Sequence, residues 1–400
     1  MSPTKAAEPE PRNAGVHRPG RPIRILAFFE SFGIMGAAKP VLEFAQEAAA
    51  SGDRNVDLST LLFVRGNEEN PLIDIVRGQG VPIDFVHERY GWDLHTFPQL
   101  RAVVEKRRPD VIWTNNSKSH FLARLTSLHR RAAWVAFHHG HTKVALRTRL
   151  YHQLDRWSLR AADRVVTVCD YFARDLQRMG VPASRISVQQ NPIRLQPPPS
   201  EEEKCKLRAE LGLPDGAMVL LTIGRLSQEK GHADLLRAMA RLRQDPSASN
   251  VHLLIVGSGP EKDALVALRT QLGLDEVVQF CGQKDDVRPY YGIADVFVLP
   301  SHSEGSPNVL LEALAAELPI VATAVGGVPE LLTHEVNALL VPMQDVAQLA
   351  GAMRRLLDDP ALRQQLSENG KQEVARHDPR SYFQSILGIF EQVVREARAA

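Results

Sequence analysis

The chain has 400 residues, more than one hydrophobic core usually serves, so its length predicts two domains. Its composition, 44% hydrophobic and 24% charged with a formal net charge of +1, excludes a largely disordered chain and gives no reason to expect a nucleic-acid partner. The three cysteines, Cys169, Cys205 and Cys281, are widely separated, which indicates buried thiols in a reducing compartment and argues against a disulfide framework or a zinc site.

The N-terminal segment, residues 1–20, is rich in proline, alanine and charge and lacks the apolar run of a signal peptide. We expect it to be a disordered tail. No stretch of the sequence is long and apolar enough to span a bilayer. The sequence therefore predicts a cytoplasmic protein, and peripheral attachment to the inner face of the plasma membrane stays open.

The first half of the chain alternates short β-branched runs with longer amphipathic segments. Strands are predicted at residues 23–29, 56–63, 111–114, 134–137, 165–168 and 186–188. Helical patterns lie between them, for example over residues 37–50 and 97–106. Because such alternation is typical of a parallel sheet with helices on both faces, residues 21–190 are predicted to form a Rossmann-like domain.

The alternation stops at residues 191–200, where four prolines predict an interdomain linker. A second series of strands is predicted at residues 219–223, 252–256, 277–281, 296–299, 320–322 and 338–341. It assigns residues 201–379 to a second Rossmann-like domain. The final segment, 380–400, has apolar residues at helical spacing and is expected to pack back on one of the domains, with the N-terminal domain as the candidate. Ligands of such sheets bind at the carboxyl ends of the strands.

The loop after predicted strand 296–299 is the most informative segment. Ser306 is a suitable N-cap and Pro307 suits the first helical position, so the loop should end at a helix N-terminus whose free N–H groups can hold an anion. Glu304 and Glu312 lie on either side of that helix start. Carboxylates repel phosphate, so we expect them at sugar and ribose hydroxyls. A capped surface helix with two solvated glutamates is the alternative interpretation.

A second candidate segment, residues 224–231, follows predicted strand 219–223. It contains Arg225 and Lys230, which could offset the charge of a bound diphosphate without a metal. The sequence has no Asp-x-Asp motif or other obvious cluster of metal-binding carboxylates. A pair of solvated cations on a polar loop explains this segment equally well when it is considered alone.

Three glycine-rich stretches follow predicted strands. Gly257 lies in a turn that opens a helix but lacks the third glycine of a dinucleotide fingerprint, so a simple tight turn is the competing interpretation. Gly326 and Gly327 would permit close backbone approach to a ligand, and Glu330 would favour the start of the next helix. Gly36, after the first strand, belongs to a similar loop.

Histidines cluster at the end of a strand in the N-terminal half, at His138, His139 and His141. No Asp, Glu or Cys is close in sequence to complete a metal site, so we do not expect a metal there. A histidine that donates a hydrogen bond to a substrate hydroxyl or phosphate fits the sequence better.

Basic residues accumulate over residues 143–164, among leucine, tyrosine and tryptophan. This pattern is typical of a basic amphipathic helix that contacts anionic lipid or an anionic acceptor. Asp155 and Asp163 interrupt the charge, so a packed helix with a solvated basic face is the alternative. The cations concerned are Lys143, Arg147, Arg149, Arg156, Arg160 and Arg164.

Taken together, these segments resemble one known family. Residues 304–312 resemble the Glu-x7-Glu signature of retaining GT-B glycosyltransferases of family 4. The segments at residues 224–231, 256–260, 294–301 and 326–330 occur in the order that this family has, and the resemblance runs from Pro22 onward. It implies a GT-B fold of α/β class, in which two Rossmann-like doubly wound parallel-sheet domains face each other across a cleft.

The resemblance also implies roles for individual residues. Arg225 and Lys230 would contact the diphosphate, Glu304 the transferred sugar and Glu312 the ribose hydroxyls. His139 matches the family's histidine near the sugar. By this resemblance the catalytic residues are Glu304, His139, Arg225 and Lys230. The donor-binding residues are Gly36, Arg225, Lys230, Gly257, Glu304, Ser306, Pro307, Asn308, Val309 and Glu312.

Three positions depart from the family pattern. The first loop continues from Gly36 with Ala37, Ala38 and Lys39 where the family often has a second glycine. Asn115 and Asn116 stand where many members have a histidine, so acceptor contacts cannot be transferred. Glu317 replaces the glycine that usually ends the signature helix, and a left-handed conformation there would cost about 1 kcal/mol.

The resemblance predicts transfer of a hexose-type residue from a UDP- or GDP-sugar to a glycan or lipid-linked acceptor, with retention and without cofactor or metal, in cell-surface polysaccharide synthesis. Three alternatives remain open. A sugar-nucleotide epimerase of the same architecture would need no acceptor, and a degenerate transferase would bind sugar nucleotides without catalysis. A nicotinamide-dependent oxidoreductase would need the complete glycine fingerprint that the first strand lacks.

Overall fold

The computed structural model describes residues 21–29, 38–52, 55–66, 71–90, 93–140 and 146–399. Contacts divide these residues into two compact units. Unit 1 runs to Val168 and also contains Ala173–Gln189 and the segment from Pro379 onward. Unit 2 consists of Cys169–Phe172 and Gln190–Asp378.

Unit 1 contains a parallel sheet of seven strands in the order β3-β2-β1-β4-β5-β6-β7. The strands are β1 Ile23–Phe29, β2 Val56–Arg65, β3 Ile83–Glu88, β4 Val111–Thr114, β5 Ala133–His138, β6 Arg164–Thr167 and β7 Ile186–Val188. The helices are α1 Lys39–Ser51, α2 Pro71–Gly78, α3 Thr96–Arg107, α4 Ser117–Leu125, α5 Leu146–Leu159, α6 Asp170–Arg178 and the C-terminal α15 Pro379–Ala399. The first residues of α6 belong to unit 2.

Helices cover both faces of the unit-1 sheet. Successive side chains of a strand point to opposite faces, so each strand contributes to two cores. Ile25 and Phe29 of β1 belong to a core shared with α1 and α15. Leu26 and Phe28 belong to the opposite core, which α3 and α4 complete. In the first core Phe383 of α15 packs on Phe44 of α1, with ring centroids 4.8 Å apart, so the C-terminal helix lies in unit 1.

Unit 2 contains a parallel sheet of six strands in the order β10-β9-β8-β11-β12-β13. The strands are β8 Met218–Ile223, β9 Val251–Val256, β10 Val278–Gly282, β11 Val296–Leu299, β12 Ile320–Thr323 and β13 Leu339–Val341. The helices are α7 Glu201–Glu210, α8 His232–Leu242, α9 Lys262–Gln271, α10 Arg288–Ile293, α11 Asn308–Ala315, α12 Val328–Leu331, α13 Val346–Asp358 and α14 Pro360–Val374.

The predicted fold class, two Rossmann-like parallel-sheet domains, is confirmed. The segment predicted as a linker, residues 191–200, contains no helix or strand. Ile193 is buried in unit 2, and its N–H donates to the carbonyl oxygen of His377 at 2.9 Å. Glu317 has φ 57°, so the chain does leave α11 through a left-handed non-glycine residue. The carboxylate of Glu317 pairs with Lys371 at 2.6 Å.

Two expectations about the chain need correction. Strand β3 was missed, because two of its inward-facing residues are Asp84 and Glu88, which hide the apolar pattern. The basic segment 143–164 is not one helix, since α5 ends at Leu159 and Arg164 begins β6. There Arg164 is buried and pairs with Glu396 at 3.0 Å. Lys143 lies outside the described residues.

Candidate functional site

Backbone contacts join the loops at the carboxyl edge of the unit-2 sheet. Gly257 has φ 141°, and a Cβ there would lie 1.9 Å from the carbonyl oxygen of Gly224. Gly326 has φ 55°, and a Cβ there would lie 1.8 Å from the carbonyl oxygen of Glu304. Only glycine permits these two approaches, because any side chain would overlap the facing backbone. The loop after β8 therefore contacts the loop after β9, and the loop after β11 contacts the loop after β12.

Lys230 and Glu304 form an ion pair between the loops after β8 and β11. Lys230 ends a short 3-10 turn, and its Nζ lies 2.7 Å from Glu304 Oε1. The buried hydroxyl of Ser301 donates to the same oxygen at 2.6 Å. Among the described residues, Glu304 Oε2 has no hydrogen-bond partner. One carboxylate oxygen is thus held by protein groups, while the other is available to a hydroxyl group of a ligand.

The turn that carries Lys230 is held in place from both ends. Gly231 follows it with φ 66°, and a Cβ there would lie 2.0 Å from the carbonyl oxygen of Pro300. The N–H of His302 donates to the carbonyl oxygen of Glu229 at 2.7 Å, and His302 Nε2 lies 2.7 Å from Asp234 Oδ2. These contacts tie the Lys230 turn and the start of α8 to the loop that bears Glu304.

The start of α11 corrects one expectation. Pro307, not Ser306, is the N-cap, and the helix begins at Asn308. Pro307 is extended, with φ −72° and ψ 112°. Asn191 contacts this helix start, because its Nδ2 donates to Asn308 Oδ1 at 3.0 Å and to the Ser306 carbonyl oxygen at 3.1 Å. The first N–H groups of α11, including that of Val309, have no acceptors within the helix, so this end remains suited to an anion.

Glu312 is half-buried in α11 and contacts Tyr291 of α10. The Tyr291 hydroxyl lies 3.1 Å from Glu312 Oε2 and 3.2 Å from the carbonyl oxygen of Val309. Burial, and then the charge of Glu312, raise the pKa of Tyr291 well above its usual value. Tyr291 therefore stays a neutral donor that orients Glu312. Tyr291 lies outside the segment 304–312 that carries the two glutamates. The sequence therefore does not indicate that it orients Glu312, and only its place in α10 beside α11 shows this.

Arg225 is exposed at the carboxyl end of β8, and no side chain in the described part of the protein pairs with its guanidinium. Its backbone is fixed, because the N–H of Gly224 donates to Val256 O and the N–H of Leu226 donates to Ser258 O, both at 2.9 Å. A fixed backbone with an unpaired side chain suits a cation that closes on an anionic ligand.

His139 lies in unit 1, directly after β5. Burial, with a smaller contribution from the charge of His120, lowers the pKa of His139 to about 4, so its imidazole is neutral at pH 7. His120 Nδ1 lies 2.7 Å from Asp155 Oδ1, and both side chains are almost fully buried. The other candidate residues belong to unit 2, except Gly36, which lies outside the described residues.

Other predicted features can be located directly. Within the described ranges no three His, Cys, Asp or Glu side chains group as a metal site, and no helix there is long and apolar enough to cross a membrane. Cys169 is buried and Cys281 half-buried, and burial raises the pKa of both thiols to about 11. Cys205 is exposed, so the expectation of a buried thiol is wrong there, because α7 is a mostly polar helix.

Glu330 lies in the first turn of α12, which begins at Val328, but its carboxylate contacts the start of another helix, α6. Its two oxygens accept hydrogen bonds from the N–H groups of Asp170 and Tyr171, at 2.7 and 2.9 Å, inside unit 2. A carboxylate at a helix N-terminus is stabilised by the helix dipole. Glu330 therefore holds the first residues of α6.

Comparisons with known proteins identify domains in both halves of the chain. Residues 34–196 match the family model described as Glycosyltransferase Family 4, and residues 203–373 match the model described as Glycosyl transferases group 1. The two matches show glycosyltransferase domains over these residues.

Similar proteins are known by sequence. One is the lipopolysaccharide core biosynthesis glycosyltransferase LpsD of Rhizobium meliloti, 36% identical over 47% of this chain and 53% of the relative. Another is a D-inositol 3-phosphate glycosyltransferase of Acidothermus cellulolyticus, 33% identical over 60% of this chain and 55% of the relative. The chain thus spans about half the length of the curated relatives it matches.

Solved structures resemble the whole fold. Anabaena HepE in complex with UDP-glucose has a TM-score of 0.78 and 21% identity, covering 92% of this chain and 100% of that one. Sucrose-phosphate synthase from Thermosynechococcus elongatus has a TM-score of 0.76 and 23% identity, covering 94% and 100%. The two parallel-sheet units therefore have the GT-B glycosyltransferase fold.

Proposed function

We propose that this chain is a retaining glycosyltransferase that moves a hexose-type residue from a nucleotide-diphosphate sugar to a hydroxyl of a glycan or lipid-linked acceptor, without a divalent metal. The observation that carries the proposal is the pairing of Lys230 with Glu304 beside the N-terminus of α11. This arrangement combines a cation and free N–H groups for a diphosphate with a carboxylate for sugar hydroxyls. The glycosyltransferase domains in both halves of the chain support it.

In this proposal the diphosphate binds at the start of α11, where the N–H groups and the helix dipole favour negative charge. Arg225 and Lys230 approach its oxygens and stabilise the charge that develops as the bond from the sugar C1 to the diphosphate oxygen breaks. The oxygen of the acceptor hydroxyl forms the new bond to C1 on the same face. The proton of that hydroxyl passes to the departing diphosphate. Because the new bond forms on the face from which the diphosphate leaves, the anomeric configuration is unchanged.

The carboxylates bind the uncharged parts of the donor. Glu304 Oε2 accepts a hydrogen bond from a hydroxyl of the transferred sugar, while Lys230 and Ser301 hold Oε1. Glu312, oriented by Tyr291, accepts from the ribose hydroxyls. His139 is neutral at pH 7 and donates a hydrogen bond to the sugar. No step in this scheme requires a metal ion, because Arg225 and Lys230 supply the positive charge.

Among donors we propose a UDP-sugar first and a GDP-sugar second, because structures of HepE with UDP and with UDP-glucose share this fold. For the acceptor we propose a cell-surface glycan or its lipid-linked precursor. Relatives named for lipopolysaccharide core and teichuronic acid biosynthesis support that choice. The enzyme would then work in the cytoplasm, peripherally at the inner face of the plasma membrane.

The test is a titration of the purified protein with UDP, GDP, ADP, NAD and their sugars in EDTA, followed by melting temperature. A ligand at a hundred times its dissociation constant adds about 2.7 kcal/mol to stability and should raise the midpoint by at least about a degree. A higher melting temperature with the nucleotides and sugars of one base, measured in EDTA, supports the proposal. A rise only with NAD, or only after metal is added, contradicts it, and a C2-epimerised sugar nucleotide formed without acceptor would identify an epimerase.

A further inference from the structure

A cavity in unit 1 lies apart from the candidate residues described above. It has a volume of about 140 Å3 and lies where the start of α3 meets α4 and α5. Its wall is mostly leucine and phenylalanine. The apolar side chains are Leu94, Phe97, Phe121, Leu122, Leu125 and Leu154.

Two oppositely charged residues, Glu88 and Lys118, also line the cavity. Lys118 Nζ lies 2.5 Å from Glu88 Oε2, and Arg65 lies 2.7 Å from the other oxygen of the same carboxylate. Glu88 ends β3, so this charged pair lies at the carboxyl ends of the strands, where parallel sheets bind their ligands. The cavity thus has a charged pair beside its apolar wall.

Large apolar side chains are exposed at its rim. Leu94 is 68% exposed and Leu125 is 43% exposed, and both line the cavity. Trp157 is 42% exposed beside Phe121, and the guanidinium of Arg124 stacks 3.7 Å from the centre of its indole ring. Clustered exposed apolar residues mark binding sites, and an aromatic–cation pair suits the boundary between apolar and polar parts of a ligand.

We infer that this cavity binds the apolar chain of an amphiphilic acceptor, with the chain along the leucine and phenylalanine wall and the hydroxylated head toward Glu88 and Lys118. That the ligand is an acceptor rests on the proposed function. An apolar protein cavity of about 150 Å3 holds one benzene molecule, so this cavity holds roughly six carbon atoms of the chain. Burial of the chain also covers Leu94 and Leu125.

The test uses alkyl β-glucosides from butyl to decyl, each below its micelle concentration, bound to the full-length protein in a calorimeter. Affinity should rise about fourfold for each added methylene, which corresponds to about 0.8 kcal/mol, and should level off near six carbons. A flat series overturns the inference. An affinity that keeps rising up to the decyl glucoside also overturns it, because a cavity of fixed size cannot bury more carbon atoms than it holds.

Two matched variants assign the binding to this cavity. Leu94→Gln should weaken hexyl glucoside binding at least threefold, whereas Leu195→Gln in unit 2, at a leucine with 65% exposure, should leave it unchanged. Equal effects of the two variants overturn the inference. So does binding to phosphatidylglycerol vesicles without saturable glucoside binding, which would assign the rim to a membrane surface. Saturable glucoside binding by a protein that transfers no sugar from any donor would overturn the proposed function and leave the cavity assignment standing.

Discussion

Lys230 Nζ lies 2.7 Å from Glu304 Oε1, so the cation expected at the diphosphate and the carboxylate expected at the sugar are paired with each other. The Glu304 side chain is 6% exposed and that of Lys230 is 25% exposed. A carboxylate so deeply buried depends on its partners, because an unpaired buried charge is costly. The two residues therefore influence both binding and stability.

Lys230→Ala should lower stability by roughly 1–3 kcal/mol, because it leaves the Glu304 carboxylate with Ser301 as its remaining hydrogen-bond donor. It should also weaken UDP binding about tenfold or more, or roughly 1.4 kcal/mol, through loss of the cation. Denaturant unfolding and calorimetric titration measure the two effects. Lys262→Ala, at an exposed lysine of α9, is the control and should change neither quantity.

The double variant Lys230→Ala with Glu304→Ala separates the two roles. Its loss of stability should be smaller than the sum of the single losses, since no charge is left buried without a partner. Additive losses would show that the ion pair contributes nothing to folding, and an unchanged UDP affinity in Lys230→Ala would remove Lys230 from the diphosphate site.

Ser301→Ala should lower kcat about tenfold and leave UDP affinity unchanged, because Ser301 orients the carboxylate of Glu304 and does not contact the diphosphate in our proposal. Steady-state kinetics with the donor identified by titration, together with UDP calorimetry, test this split. Thr323→Val is the matched control. It removes a hydroxyl that donates to the Ser301 carbonyl oxygen but leaves the Ser301 hydroxyl in place, so its kcat should fall less. An equal loss of kcat and UDP affinity in Ser301→Ala would indicate general disruption of the loop.

Gly231→Ala should destabilise the protein by several kcal/mol more than Gly273→Ala. Both glycines have φ 66°, so an alanine has the same backbone strain, about 1 kcal/mol, at either position. They differ in their surroundings. A Cβ at Gly231 would lie 2.0 Å from the Pro300 carbonyl oxygen, whereas at Gly273 nothing lies within 4 Å.

Urea unfolding of the two variants measures this difference directly. Gly231→Ala should also lose UDP binding, since the displaced turn carries Lys230, and Gly273→Ala should retain it. Similar midpoints for the two variants would mean that the loops after β8 and β11 do not meet as described.

Much of this architecture follows from the sequence, because β-branched runs and amphipathic helices alternate regularly. Strand β3 was missed for a physical reason. Its buried positions include Asp84, which pairs with Lys106 and Arg107 of α3, and Glu88, which pairs with Arg65 and Lys118. Ion pairs with residues distant in sequence allow acids to face inward, and a single strand read alone contains no sign of those partners.

The candidate site was predictable only in part. The motif residues Glu304, Lys230 and Arg225 stand out by type and position, and they follow the strands of one sheet. Their mutual contacts do not stand out, because the Lys230–Glu304 pair joins residues 74 positions apart. Ser301 and Tyr291 are ordinary residues in sequence, and only their hydrogen bonds to the two glutamates reveal them.

Acidification should unfold the protein partly through His232, which lies beside Lys230 at the start of α8. Burial, and then the charge of Lys230, lower the pKa of His232 to about 4, while an unfolded histidine has a pKa of about 6.5. Between these values only the unfolded chain takes up the proton. Stability from the neutral imidazole is therefore complete above pH 6.5, is lost as the pH falls to 4, and changes no further below it.

The expected loss from this one group is at most about 3.4 kcal/mol, because the two pKa values differ by roughly 2.5 units and each unit corresponds to about 1.36 kcal/mol. It is measured as the free energy of unfolding at pH 7 and pH 4 in the wild type and in His232→Gln. The variant should lose less stability between the two pH values, even if it is less stable at both. His87→Gln, at an exposed histidine, should follow the wild type. Equal pH dependence in His232→Gln and the wild type would show that His232 takes up its proton in the folded protein as easily as in the unfolded chain.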